Sequence, residues 1–316
     1  MKKHARVLIP ATSANLGPGF DVLGVALRLH NEVRMEAEFD PSPSHEVNGR
    51  RGLQSVSIDV VGEGLDTLPR DESNLVARAA ARVFEAAKRW PKVLNIQLIN
   101  RIPLSRGLGS SAAATVGGMY AAHRLCGRSL PEADLLDMAV EMEGHADNIV
   151  PAVMGGFCIS GQMEGKTKHV KFNAPVDLRA VVCVPQKPLP TREARRVLPS
   201  RIPFTAAVFT SSHVAFLLGA LLKKRYADLG FAMEDVLHQP ARAALIPGLA
   251  KVIAEARKAG AWGSALSGAG SSVIALCKPG VVSKRVGQAM VKSFASHGIQ
   301  SRWLELPLEN TGIRIS

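Results

Sequence analysis

Apolar positions alternate with polar ones over residues 33–39 and 55–61, the period-two pattern of half-buried strands in a largely antiparallel sheet. An apolar run over 4–10 predicts a strand before them, and the polar stretch Pro41 to Gly52 predicts a mobile loop between the two. Asp71 to Leu75 opens a helix running to about Lys88, with Ser73 or Asn74 as its cap. The run Leu94 to Ile102 predicts a strand closed by Pro103, and small residues from Ser111 to about Leu125 predict a helix. Ser129 and Glu132 have capping-box spacing around Pro131, so another helix starts there and stops at Gly144.

From about residue 166 the pattern changes, which divides the chain into residues 1–165 and 166–316. The second part reads as a buried strand Leu178 to Val184 and a short helical piece Pro190 to Arg196. Three helices follow, over Ala206 to Tyr226, Phe231 to about Arg242, and Leu249 to Lys258. Ala261 to Leu266 and Val273 to Cys277 read as a hairpin, Val281 to Ser296 as a helix and Ser301 to Leu306 as a last strand. That order suits an antiparallel α+β layer of the split-βαβ type.

At 316 residues, 47% hydrophobic and 21% charged, the chain has the composition of a soluble globular protein with a sizeable core. No apolar run in the sequence approaches the roughly 18 residues of a membrane span, Val214 to Leu222 being the longest candidate. The amino-terminal residues lead straight into a strand without a signal peptide's apolar segment, so a cytoplasmic location is expected. Cys126, Cys158, Cys183 and Cys277 are scattered in apolar surroundings, without metal-ligand spacing, and read as buried free thiols in a reducing compartment. The net charge of +12 alone would suit a nucleic-acid binder, but the basic residues are dispersed, aromatics are 5%, and no nucleic-acid motif is present. A solvated basic surface that draws in an anionic nucleotide accounts for it better.

The chemistry concentrates at residues 103–118. Strand, glycine loop and helix start follow in that order, and Gly107 and Gly109 let backbone amides approach a ligand. The open N–H groups and dipole of a helix start make an anion site, most often for phosphate. Ser110 or Ser111 caps the helix or reaches a magnesium ion. A tight turn before an Ala-rich core helix is the plain alternative. A dinucleotide fingerprint is disfavoured because no acid follows at about 20 residues; the Walker-like Gly161 to Thr167 is one residue short and brings Glu164 towards phosphate.

Three other segments hold polar groups in unusual places. Asn15 and Asp21 sit in a Gly- and Pro-crowded connection, aimed at a ligand unless Asn15 merely shapes a turn. His145, Asp147 and Asn148 lie between apolar segments and need partners that a substrate can supply. Glu141 and Glu143 point to different faces of their helix, so one of them faces the glycine loop, while Thr191 and Arg195 share a face.

The stretches 10–21, 103–114 and 266–273 together resemble the GHMP small-molecule kinase superfamily. With Glu143 to Asn148, Thr191 to Arg195 and His238 to Gly248, the resemblance narrows to its homoserine kinase family and covers nearly the whole chain. It implies two α+β domains: an ATP-binding one over 1–165, and a ferredoxin-like split-βαβ one over 166–316 that completes the substrate pocket. It implies that Gly107, Leu108, Gly109, Ser110 and Ser111 cradle the ATP phosphates, flanked by Pro103, Leu104, Ser105, Arg106, Ala112 and Ala113, with Asn74 near the base. Mg2+ would be held by Ser110 or Ser111 with Glu143, Glu141 being the reserve. Asn15, Asp21, His145, Asp147, Asn148, Thr191, Arg195, Arg242 and Gly268 would form the L-homoserine pocket.

The arginines would clamp the substrate carboxylate and Asp147 its ammonium. Asn15, Asp147, Asn148 and Arg195 are the residues nearest the reaction, with direct attack by the hydroxyl and no strong base. The resemblance further implies a homodimer and a step in threonine biosynthesis. A sibling kinase for mevalonate, shikimate or a sugar, or a non-catalytic nucleotide-binding regulator, are the alternatives.

Overall fold

The computed structural model describes residues 1–39 and 55–316, so the loop expected over Pro41 to Gly52 lies outside the described residues. Strand β1 (Lys2–Asn15) runs antiparallel to β2 (Gly19–Glu38). β3 (Ser55–Gly62), α1 (Leu75–Ala86), β4 (Val93–Asn100), α2 (Ser110–Leu125), α3 (Glu132–Glu143) and α4 (Ala146–Met154) follow. Next come β5 (Phe157–Met163), β6 (Lys166–Phe172), β7 (Arg179–Pro185), α5 (Thr191–Arg196), α6 (Phe204–Leu222), α7 (Leu229–Ala232), α8 (Gln239–Arg242) and α9 (Leu249–Lys258). The chain closes with β8 (Gly263–Leu266), β9 (Val273–Cys277), α10 (Val281–Ala295), β10 (Ser301–Pro307) and β11 (Arg314–Ile315).

Two sheets result. Among the described residues the first has seven strands, with β11-β1-β2-β4-β3 as its main path, β5 paired with Leu23 to Val25 in the first half of β2, and β6 paired with β5. Its pairs are antiparallel except β3 with β4. The second has the order β10-β7-β9-β8, all antiparallel, the split-βαβ arrangement. Val181, Cys183, Val252, Met290 and Phe294 pack the second layer's core, while Ile9, Val116, Met119 and Ile149 belong to the first.

β1 is longer than the apolar run at 4–10 indicated. Its outer half alternates, with Ala5, Val7 and Ile9 buried, but Ala11 to Asn15 is buried throughout and so shows no period. The helix at Glu132 begins behind Pro131 with no side-chain cap, so the capping box expected from Ser129 does not form. The single helix expected over Phe231 to Arg242 is two short ones. The Asp235 carboxylate accepts the N–H groups of Leu237, His238 and Gln239 and starts the chain afresh there.

Helix α4, the β5–β6 hairpin and β11 went unread in the sequence. The hairpin turns at Glu164 and Gly165, so the boundary drawn at 165/166 cuts it; by sheet membership the first unit reaches Phe172 and takes back β11. The sequence reading of α6 also needs correction. At 19 residues, uncharged, with mean hydropathy 1.7 and few of its residues buried, it is long and apolar enough to cross a membrane by length and composition. The serines and histidine that interrupt the run in sequence carry no charge and leave the helix apolar on average. All four cysteines are free and buried, and burial pushes the thiols of Cys126 and Cys183 up to about 11 and those of Cys158 and Cys277 to about 12.

Candidate active site

The glycine loop sits where the two sheets meet. α2 starts at Ser110 with Gly109 as its N-cap in the left-handed region, at φ 69°, and no side chain caps it. The capping role expected of Ser110 or Ser111 is therefore absent, because both lie inside the helix. Its first N–H groups stay open to a ligand. Glycine is required at both loop positions: a Cβ on Gly107 would collide with the Ser267 carbonyl and one on Gly109 with Thr12 Oγ1. The second glycine loop presses on the first: Ser267 Oγ donates to Gly107 O at 2.6 Å and meets Ser13 Oγ at 2.8 Å, and Gly268 N–H donates to Ala14 O at 3.1 Å.

α3 brings its last residue to this loop. Ser111 Oγ donates to Glu143 Oε2 at 2.9 Å, whereas Glu141 faces away and pairs with Arg82 at 3.0 Å. Burial raises the Glu143 carboxyl, against the pull of His145 and the Ser111 hydroxyl. Among the described residues no cluster of three or more His, Cys, Asp or Glu forms a metal cage. One carboxylate beside one hydroxyl fits a hard cation that takes its remaining oxygens from phosphate and water, as Mg2+ does.

α4 carries the next group in its first turn. His145 Nδ1 lies 2.8 Å from Asp147 Oδ1, Asn148 Nδ2 donates to the same oxygen at 3.2 Å, and Thr12 Oγ1 donates to Asn148 Oδ1 at 2.8 Å. Burial pulls the His145 imidazole down, but its bond to Asp147 and the nearby Glu143 outweigh it, so its pKa is raised. Among the described residues only one Asp147 oxygen, Oδ1, is engaged.

The arginines arrive from the second layer. Arg195 on α5 makes a two-pronged pair with Asp21, at 2.8 and 3.0 Å. Arg242 on α8 is 1% exposed yet makes no ion pair with a carboxylate among the described residues. Its Nε donates to Ala194 O and its Nη1 to Gly268 O, both at 3.1 Å, and Nη1 lies 3.1 Å from His238 Nδ1. Burial pulls this guanidinium down to about 10, helped by the nearby Arg195 charge. Its Nη2 hydrogens have no acceptor among the described residues.

Asn15, Asp21, Glu143, His145, Asp147, Asn148, Thr191, Arg195, Arg242 and Gly268 all line one cavity of about 280 Å³ with the glycine loop, Leu104 to Ser111 and Ala113. Pro103 and Ala112 do not line it; Ala112 is fully buried in the core. Two of the expected ligand groups give part of their hydrogen bonds to the fold. Asn74 lines the cavity, but its Oδ1 caps α1 by accepting from Val76 N–H and its Nδ2 donates to Pro69 O. The Arg106 guanidinium holds the carbonyls of Pro185, Leu104 and Gln186. Asn15 is partly spent as well, its Oδ1 accepting from Asp21 N–H and its Nδ2 donating to Gly268 O. Both Asn15 and Asp21 have positive φ, 70° and 56°.

Several residues were missed by reading the sequence. Asn31 and Asn100, with Val33, Leu68 and Leu98, form the cavity wall beyond the loop. Phe20 has the Arg195 and Arg242 guanidinium carbons 5.7 and 5.4 Å from its ring centre. His238 sits one helical turn before Arg242 in the same stretch, and that spacing was the available signal.

Residues 74–156 match the GHMP kinases N terminal domain family and residues 217–296 the GHMP kinases C terminal family. The chain is similar to the homoserine kinase of Carboxydothermus hydrogenoformans, 45% identical over 97% of this chain and 95% of that one. It is 40% identical to the homoserine kinase of Caldanaerobacter subterraneus over 98% of this chain and 95% of the other. The crystal structure of homoserine kinase from Cytophaga hutchinsonii matches with a TM-score of 0.85 and 34% identity, covering 100% of this chain and 98% of that one. The two-sheet α+β architecture is the two-domain GHMP kinase fold, and this chain belongs to the homoserine kinase family of the GHMP kinases.

Proposed function

We propose that the chain transfers the terminal phosphoryl group of ATP to the hydroxyl of L-homoserine, giving O-phospho-L-homoserine on the route to threonine. One observation carries the substrate reading: among the described residues Arg242 is a buried guanidinium without a carboxylate partner, its Nη2 unclaimed, in the same cavity as the half-engaged carboxylate of Asp147. A buried cation and a buried anion across one small cavity suit a zwitterion. Mevalonate, shikimate and sugars have no ammonium for Asp147.

The glycine-loop amides and the open end of α2 would hold the ATP phosphates, and the wall around Leu68, Leu98 and Asn100 the base. Mg2+ held by Glu143 with Ser111 and Ser110 would neutralise phosphate charge when bound. Arg242 binds the substrate carboxylate, Asp147 its ammonium, and Asn15 and Asn148 orient its chain. Arg195, kept in place by Asp21, supplies positive charge at the phosphoryl group. Asp147 is committed to His145 and to substrate, so the hydroxyl oxygen attacks the terminal phosphorus directly as the bond to ADP breaks, and its proton passes to an oxygen of the transferred phosphoryl group. A loose transition state asks chiefly for this positioning and charge.

The division into an ATP-binding and a substrate-completing domain, a homodimeric state and a cytoplasmic location belong to the same proposal. The test is ADP release with Mg-ATP and L-homoserine, beside mevalonate, shikimate, galactose and L-serine. Homoserine-dependent turnover is expected. Turnover with another alcohol alone overturns the substrate, and nucleotide binding without turnover overturns the reaction.

A further inference from the structure

His238 is fully buried and touches none of the chemistry directly, yet both ring nitrogens are committed. Nδ1 lies 3.1 Å from Arg242 Nη1, and Nε2 lies 2.8 Å from Gly17 O. A guanidinium only donates, so Nδ1 must be the bare acceptor; Nε2 then carries the hydrogen and donates to the carbonyl. The geometry thereby selects one neutral tautomer. Burial acts in the same direction by lowering the imidazole pKa. The backbone around the ring is also pinned, since Asp235 accepts the N–H groups of His238 and Gln239. Phe20 packs its ring centre 5.3 Å from that of His238 and 5.4 Å from the Arg242 guanidinium carbon.

Arg242 has five N–H bonds to place. Ala194 O, Gly268 O and His238 Nδ1 take three, through Nε and both hydrogens of Nη1. Two of these acceptors are carbonyls fixed by the backbone; His238 is the one side chain among them. Gly17, on the other side of the imidazole, belongs to the turn that sets Asn15. A single ring therefore couples the aim of the guanidinium to the loop opposite.

We propose that His238 is a positioning residue for carboxylate recognition: its bare Nδ1 aims Arg242 at the substrate, while its Nε2–H ties the Gly17 turn to the same helix. This rests on the reading of Arg242 as the carboxylate receptor. Two isosteric changes separate the roles. His238→Gln keeps a donor near Nε2 for Gly17 and removes the acceptor for Arg242. His238→Asn keeps an oxygen near Nδ1 for Arg242 and removes the tie to Gly17.

The measurement is kcat/KM for L-homoserine divided by kcat/KM for 3-aminopropan-1-ol, which is homoserine without its carboxylate. In His238→Gln this ratio falls about tenfold or more, the worth of a hydrogen bond to a charged group, with activity on the amino alcohol kept within about twofold. His238→Asn holds the ratio near its original value. A ratio unchanged in His238→Gln, or both acceptors losing activity alike, overturns the inference. Should the glutamine variant not fold, a ratio lost in His238→Asn overturns it and a ratio kept supports it. The unmodified enzyme separates the two failures: no turnover of L-homoserine sinks the functional reading and this inference together, whereas turnover with an insensitive ratio sinks the inference alone.

Discussion

Ser111 Oγ donates to Glu143 Oε2 at 2.9 Å, joining the first turn of α2 to the last residue of α3. The pair sets a carboxylate beside the open helix start where phosphate charge would gather. Glu143→Gln is expected to lower turnover by about 100-fold or more, the scale of several kcal/mol of metal-borne charge stabilisation. Glu141→Gln, at an exposed pair with Arg82, should stay within about twofold. Steady-state kinetics over a magnesium titration checks both.

Arg242 lies in the core and its hydrogen-bond partners among the described residues are neutral, so stability and function should separate there. Arg242→Met is expected to raise KM for L-homoserine by about 30-fold or more, as for losing one partner of a buried charged contact. Its unfolding free energy should stay level or rise by about 1–3 kcal/mol, because an apolar chain replaces a buried unpaired charge. Chemical denaturation beside the kinetics decides it, and a large loss of stability would count against the argument.

At Gly107, φ is 73° and a Cβ would meet the Ser267 carbonyl. Gly107→Ala should therefore push the two glycine loops apart, costing about 1–3 kcal/mol for the strained backbone and displaced contact. A higher KM for ATP should accompany it, as the amides leave the phosphates.

Glu32 accepts from Arg6 at 2.6 Å and from Arg34 at 2.7 Å, and the Arg6 hydrogen bond leads in holding its carboxyl at about 2 instead of 4.5. Its folded-state value is depressed, so the ionised form favours the folded state. That stabilisation is whole above about 4.5 and fades as the pH falls toward about 2. Glu32→Gln should cost about 1–3 kcal/mol at neutral pH, with the gap from the parent closing through that acid window. Urea unfolding at a series of pH values measures it.

How much was legible depended on how local each signal was. The glycine loop and α2 stood out because a turn that needs positive φ and a helix start are local events, written in adjacent residues. The buried inner half of β1, helix α4 and the β5–β6 hairpin did not. Burial on several sides erases periodicity, and Pro151 inside α4 looks like a breaker. Helix geometry already said that one of Glu141 and Glu143 faces the glycine loop; the structure turns Glu143 to Ser111 and Glu141 to Arg82.

By itself, the sequence determined many of the elements, though not α4, the β5–β6 hairpin or β11, together with the glycine loop, its following helix and the family, since these depend on local conformational preference and on blocks of adjacent residues. Tertiary structure alone decided which polar groups face the cavity with hydrogen-bonding capacity to spare. Asn74, Asn15 and Arg106 each give part of their hydrogen bonds to the fold, while Arg242 and Asp147, both buried, each leave a polar atom unengaged at the cavity. A hydrogen bond is settled by which acceptor another segment brings within about 3 Å. His238 and Gly17, 221 positions apart, meet only when the two sheets close on each other.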